Sequence, residues 1–260
     1  VRCSAATGDP VATVLTEHDD RYLEPLQPAR FLKTRPTQFI WRSRRDGWQH
    51  LYLYDLRKGL VRQLTKGAWE VERIVGLDPK ESFAIVEGTA TINPADPNGA
   101  LETHLYRVDL ATGRTVRLSA EPGTHHGQLS SDAAHVIDTW SSLNVPNRSV
   151  IRSTRNGAVL KTLVDAKDPF SALAAGRVEL LTIDGENGDR LNARIIKPSG
   201  FDPASRYPVL IYVYNGPHVQ LVSNSFLGGA SPWMLHAAER GYLVWTVDGH
   251  GTPNRGKAFE

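Results

Sequence analysis

Sulfur is nearly absent from this chain: among 260 residues there is one cysteine and one methionine. A lone Cys3 excludes an internal disulfide and any zinc site built on thiolates. Long apolar runs are also missing. Val209–Tyr214 and Tyr242–Val247 are strand-sized and far below the roughly 18 residues of a membrane-spanning helix. No sign of charge dominates. Thirty Lys and Arg against 28 Asp and Glu leave a formal charge of +2, spread along the chain without the clustered basic face that nucleic acid requires. The one local cluster, Arg42, Arg44 and Arg45, stands before Asp46-Gly47 and is expected to project from a strand end into water. The opening Val1-Arg-Cys-Ser has neither an initiator Met nor the regions of a signal peptide, and reads as an interior position of a longer chain.

What is present is a composition of 40% hydrophobic and 22% charged residues, that of a folded chain long enough for two domains. A repeat runs through its first two-thirds. His50-Leu-Tyr-Leu-Tyr-Asp-Leu-Arg-Lys-Gly59 and His104-Leu-Tyr-Arg-Val-Asp-Leu-Ala-Thr-Gly113 are copies of one unit, each an alternating strand followed by an Asp-Leu-x-x-Gly turn. Each copy continues into a second short strand ending at Thr65 or Ser119. Weaker copies surround Gly8 and Gly157, so the turn glycines recur at a period of roughly 50 residues, which indicates propeller blades. A blade is apolar on both faces and needs neighbours to bury them. Three to four blades are expected over residues 1–170, with sheet faces left open at both ends. A β-sandwich is the alternative, but its turns do not normally repeat at a fixed period.

Asp168–Gly176, rich in Ala, reads as a link, and the pattern changes beyond it. Val178–Ile183 and Leu191–Ile196 form a hairpin around a Gly-Asn-Gly-Asp turn. Tyr207–Tyr214 reads as a parallel strand covered on both faces. A helix follows, with Ser231 at the N-cap, Pro232 in its first turn, Met234, Leu235, Ala237 and Ala238 facing the core, and Gly241 at its end. Tyr242–Val247 completes a βαβ unit.

Four separated segments carry a resemblance: Arg45–Tyr54, Leu64–Val71, Tyr207-Pro-Val-Leu-Ile-Tyr-Val-Tyr-Asn-Gly-Pro217 and Val247-Asp-Gly-His-Gly-Thr-Pro-Asn-Arg-Gly256. In this order they resemble a dipeptidyl peptidase IV-type enzyme of the prolyl oligopeptidase class, over nearly the whole chain. The resemblance implies a partial β-propeller over 1–170 and the start of an α/β-hydrolase peptidase domain over 171–260. It implies a serine exopeptidase that releases N-terminal dipeptides, with an X-Pro preference, through an acyl-enzyme. It further implies peptide substrates, no cofactor, a possible homodimer, and a periplasmic or secreted location.

By the same resemblance Tyr214, the second Tyr of Tyr-x-Tyr-x-Gly-Pro, is the oxyanion-hole donor. A phenol suits that task because, with a pKa near 10, it remains a donor at neutral pH. Asn215 and His250 are candidates for substrate binding and depart from the pattern: relatives more often carry Gly or Ala at the first and Arg at the second. The Ser-Asp-His triad is not in the chain, since no G-x-S-x-G elbow occurs. The family's Glu-Glu pair for the substrate ammonium is absent too. A non-catalytic propeller that binds peptide or protein, and another peptidase of the same class, are the competing readings.

Other residues read as structural. His125-His126 point to opposite faces if on a strand and lack a third metal ligand; a blade-edge turn is expected there. Ser130-Ser-Asp132-Ala is a blade turn. Gly228-Gly229-Ala-Ser231 fits neither a phosphate loop nor a nucleophile elbow. Trp48, Trp69 and Trp140 read as blade-packing aromatics, with lining of a substrate cavity as the alternative.

Overall fold

Alternating apolar residues separated by glycine turns give strands throughout. A computed structural model describes residues 1–23, 28–93, 95–171, 176–186, 188–214 and 216–260. A two-stranded hairpin, β1 (Arg2–Cys3) and β2 (Pro10–Ala12), precedes a four-stranded antiparallel meander of β3 (Arg30–Phe31), β4 (Gln38–Ser43), β5 (His50–Asp55) and β6 (Gly59–Gln63). A second meander comprises β7 (Val71–Leu77), β8 (Phe83–Thr89), β9 (Thr103–Asp109) and β10 (Thr115–Arg117). The third comprises β11 (Thr124–Leu129), β12 (His135–Ser142), β13 (Val145–Ser153) and β14 (Val159–Asp165). The second and third meet through one residue pair, Thr103 opposite Thr124. Three propeller-like units thus follow one another, over Arg30–Gln63, Val71–Arg117 and Thr124–Asp165.

Burial shows why such units must stack. Along β8 all seven residues are buried. Ala84 and Val86 enter a core with Leu51, Leu53 and Leu64 of the first unit, whereas Phe83 and Ile85 enter another with Leu118, Ala133 and Val136. Successive side chains of one strand therefore fill two different cores. The open faces are not where the repeat predicts them. The outer face of the first unit, Phe39, Tyr52 and Tyr54, is covered by Val14, Leu15 and Ala29. The far end stays open: among the described residues β14 exposes Val159, Leu160, Leu163 and Val164.

The repeated turns share one geometry. Gly8, Gly59, Gly113 and Gly157 have φ of 78°, 76°, 77° and 76°, the left-handed region where glycine lacks the Cβ penalty. Asp55, Asp109 and Ser153 begin three of these turns and accept backbone N–H bonds from the residue two positions on, at 2.9, 3.1 and 3.2 Å. Ser4 does the same for Ala6 at 3.3 Å. The ends of the repeat also find each other: His50 Nδ1 lies 3.0 Å from Thr65 Oγ1, and His104 Nδ1 lies 3.0 Å from Ser119 Oγ.

Beyond residue 176 a four-stranded sheet has the order β15 (Arg177–Asp184), β16 (Arg190–Lys197), β18 (Leu243–Val247), β17 (Val209–Ile211). The β15–β16 hairpin is the expected one, although Asn187 in its turn and residues 172–175 of the link lie outside the described residues. Strands β17 and β18 run parallel, and α1 (Pro232–Glu239) lies between them in sequence. Met234, Leu235 and Ala238 pack against Ile196 and Val244. Ser231 takes the N-cap backbone position but makes no side-chain capping bond. The strand expected over 207–214 is shorter and barer than its apolar run suggests. Only Val209–Ile211 is strand, it pairs on one side with β18, and Val209 and Ile211 are exposed. An edge strand lacks the second neighbour that would cover it. No helix among the described residues is long and apolar enough to cross a membrane.

Candidate functional site

The parallel pair β17–β18 directs two segments toward the same end of the sheet. Tyr212 extends the ladder by one bond, its N–H donating to Trp245 O at 2.8 Å, and the chain then leaves the sheet at Val213 and Tyr214. Tyr214 is 64% exposed. A Cβ at Gly216 would collide with the Tyr214 ring at Cδ1 and Cε1, so glycine there is what lets the phenol lie back over the turn. Asn215 lies outside the described residues.

Asp248 follows β18 directly. Its buried carboxylate accepts the N–H groups of Leu221 and Val222, both at 2.9 Å; burial pushes its pKa up against the opposing pull of those bonds. Arg194 on β16 is 1% exposed and donates to Leu221 O at 2.9 Å, Gly228 O at 2.7 Å and Thr246 Oγ1 at 3.1 Å. Arg194 and Asp248 therefore grip Leu221 by its carbonyl and its N–H. They fix the strap 217–229 that runs from Tyr214 toward α1. Sequence reasoning did not single out either residue, and only the wording Val-Asp-Gly carried a signal for Asp248.

His250 is at the same end of the sheet, stacked on Phe259 with centroids 4.6 Å apart. Both ring nitrogens are engaged, Nδ1 with Phe259 O at 3.0 Å and Nε2 with Asp189 Oδ2 at 2.9 Å. No hydrogen bond or ring contact joins it to Tyr214 among the described residues. The nearest tie runs through the backbone, where His218 N–H donates to Gly251 O at 3.0 Å.

The strap is bonded to the blades. Gln220 Nε2 donates to Ala100 O at 2.9 Å, Phe226 N–H to Ser141 Oγ at 3.1 Å and Leu227 N–H to Leu143 O at 3.1 Å. The 249–260 segment docks on the first unit. Lys257 N–H donates to Gly47 O at 2.9 Å, Gly256 N–H donates to Glu70 Oε1 at 3.1 Å, and Arg44 pairs with both Glu70 and Glu260. This corrects the expectation that the arginine cluster faces water. Arg42 donates to Glu72 O, and Arg45 pairs with Glu17 while lying 4.6 Å over the Tyr52 ring. Carboxylates brought from distant sequence draw the cations inward.

His125 and His126 are on β11 and not in a turn, because Thr124–Leu129 pairs fully with β12. Strand alternation separates them. His125 is fully buried with Nδ1 2.9 Å from Asp138 Oδ1, whereas the imidazole of His126 turns toward Glu87 at 3.7 Å. No group of three metal-ligating side chains occurs among the described residues. Ser119, His104 and Glu102 form a hydrogen-bonded line with both links at 3.0 Å, the order of a catalytic triad. Ser119 and His104 have no exposure, and burial lowers the imidazole pKa. The first unit repeats the arrangement with Thr65, His50 and Gly67 O. A motif repeated in the blades without its acid is a strand clamp and not a nucleophile. The tryptophans are packing residues: Trp69 lies 4.7 Å from Tyr106, Trp140 stacks on His125, and Trp48 lies against Gly256. Asp132 is a turn acid, accepting from Ala134 N–H at 3.0 Å and Ser130 Oγ at 2.6 Å.

Comparison with known proteins extends the picture. Residues 1–147 match the family described as Dipeptidyl peptidase IV (DPP IV) N-terminal region. Among curated relatives, a probable dipeptidyl peptidase 4 of Aspergillus flavus is 26% identical over 95% of this chain and 33% of its own length. One of Emericella nidulans is 29% identical over 84% of this chain and 28% of its own. Among solved structures, a putative dipeptidyl aminopeptidase IV of Bacteroides ovatus superposes with a TM-score of 0.90 at 31% identity, covering 99% of this chain and 38% of that one. Porphyromonas gingivalis dipeptidyl peptidase 4 gives 0.75 at 29% identity, covering 89% and 31%. The chain spans about a third of the length of the curated relatives it matches.

Proposed function

Because the chain belongs to the dipeptidyl peptidase IV family, we propose that it forms part of a serine-type peptidase that releases dipeptides from peptide N-termini, with preference for a penultimate proline. On this reading residues 1–170 are propeller blades and 171–260 begin an α/β-hydrolase domain, with β17–α1–β18 as its first parallel crossover. Open α/β sheets bind ligands beyond the carboxyl ends of their parallel strands. The observation that carries the reading is Tyr214, whose exposed phenol stands three residues past the end of β17.

The serine attacks the peptide carbonyl, negative charge develops on its oxygen, and the Tyr214 hydroxyl donates a hydrogen bond to it. A phenol keeps its proton at neutral pH and so is available as that donor. The nucleophile, its base and their acid come from outside the 260 residues, so this chain by itself is inactive. His250, its imidazole held by Asp189 and Phe259, is a candidate for substrate binding, as is Asn215 by resemblance alone.

The test is the full-length protein assayed with a Gly-Pro chromogenic substrate, with and without a serine-directed inhibitor. Loss of one oxyanion donor costs about 2.7 to 4 kcal/mol, so Tyr214→Phe is expected to lower kcat roughly 100- to 1000-fold. Wild-type turnover in that variant, or turnover that resists the inhibitor, refutes the assignment.

A further inference from the structure

Asn224 lies at the middle of the strap and spends all four of its hydrogen-bonding groups on the blades. Its backbone N–H donates to Leu101 O at 2.7 Å. Its carbonyl oxygen accepts from Thr124 Oγ1 at 3.3 Å, Oδ1 accepts from Leu143 N–H at 3.1 Å, and Nδ2 donates to Glu102 Oε1 at 2.8 Å. The partners come from both the second and the third units, on either side of the Thr103–Thr124 junction. Glu102 is itself anchored through His104 to Ser119 in the interior of the second unit. Against the upward pull of burial, the bonds from His104 and Asn224 hold the Glu102 carboxyl below its ordinary range.

The same strap is gripped from its other side by Arg194 and Asp248 at Leu221 and Val222, and it begins at the Gly216-Pro217 turn on which Tyr214 rests. Asn224 and the Arg194–Asp248 grip thus hold one strap from two sides, the blades on one and the sheet that carries Tyr214 on the other. We propose that Asn224 is a positioning residue: it sets the separation between the blades and the wall that carries Tyr214, and acts on the reaction through that tyrosine. This rests on the role given above to Tyr214. An asparagine suits the task because one planar side chain supplies both an acceptor for Leu143 and a donor for Glu102.

Asn224→Ala removes two bonds, each worth about a factor of five to ten, while leaving the backbone ties. In the full-length protein it is expected to lower kcat about tenfold with KM within about twofold, since the oxyanion bond forms only in the transition state. In a Tyr214→Phe background the same substitution should cause no further loss, because residues that act through one another are not additive. Additive losses, or unchanged kcat in a folded Asn224→Ala protein, overturn the proposal.

Asn224→Asp supplies a readout that does not depend on turnover. It keeps the acceptor for Leu143 but sets a second carboxylate against Glu102, with His104 and Arg117 as the other charged or titratable neighbours of that acid. Two carboxyls sharing a site raise the pKa of one of them. The shared-proton bond is then present below that raised value and lost above it, so the variant should melt close to wild type near pH 5 and well below it near pH 8. An equal deficit at both pH values overturns the contact itself. If wild-type protein shows no dipeptidyl peptidase turnover, the functional reading fails while the melting comparison still decides the contact.

Discussion

The turn glycines offer an internal control that separates backbone strain from packing between blades. Gly59, Gly113 and Gly157 share φ of 76° to 77°, so alanine at each meets the same left-handed penalty of about 1 to 2 kcal/mol. Their surroundings differ. A Cβ at 59 meets nothing within 4 Å; at 113 it lies 3.0 Å from Leu64 O; at 157 it overlaps the carbonyl oxygen of Leu118, with the carbonyl carbon and Cα at 3.0 Å. Leu64 and Leu118 are equivalent positions, each just past the last strand of its unit, so Gly113 and Gly157 press on the preceding unit whereas Gly59 does not. Gly59→Ala should cost only the backbone penalty. Gly113→Ala should cost slightly more, and Gly157→Ala a further 1 to 3 kcal/mol or so for overpacking against main chain that cannot give way. Urea unfolding of the 260-residue chain, followed by the fluorescence of its six tryptophans, measures the series. Equal losses at all three positions, or the largest at Gly59, would refute the claim that these turns are the contact points between blades.

Two further outcomes follow from buried charge. Burial pushes the Glu72 carboxyl up to about 7. The folded state thus holds a proton that the unfolded chain has released above its ordinary pKa of about 4.3, and stability falls as pH rises from there to about 7. Glu72→Gln should flatten that part of the profile and raise the urea midpoint at pH 8, with little effect at pH 4; an unchanged slope would refute the burial. Arg194→Met leaves Leu221 O, Gly228 O and Thr246 Oγ1 without their common donor and removes a cation that favours the Asp248 carboxylate. A loss of about 3 to 5 kcal/mol is expected, read as a fall in the urea midpoint, and a loss under 1 kcal/mol would contradict the grip assigned to this residue.

The repeated hairpin units were legible because their signal is local. Glycine's freedom at φ near 76° and an Asp or Ser four residues before it are properties of single turns, and they repeat. The β17–α1–β18 crossover was legible from Pro232, Gly241 and two apolar runs for the same reason. What escaped depends on distance in sequence. Arg44 has partners 26 and 216 positions away, and nothing in Arg-Ser-Arg-Arg announces them. His125 read as a turn because two adjacent histidines look polar, yet pairing with β12 buries one against Asp138. The run 207–214 read as a covered strand because hydrophobicity reports the tendency to be buried and not which neighbour does it. Asn224 lies among Ser223 and Ser225, where composition suggests only a loop. Tyr214 is proposed from resemblance to a motif in the sequence, whereas the strap beside it carries no such signal.

The single Thr103–Thr124 pair between the second and third units has a mechanical consequence. Eight strands joined by one backbone link do not unzip as a continuous ladder. Side-chain interdigitation is what holds the two meanders together, so each can behave as a separate foldon, opening at its own free energy while its neighbour remains protected. In native-state hydrogen exchange the amides of β12 and β13 would then form a group distinct from those of β8 and β9. The junction itself, where the strap attaches, would become the place where motion of one blade is passed to the other.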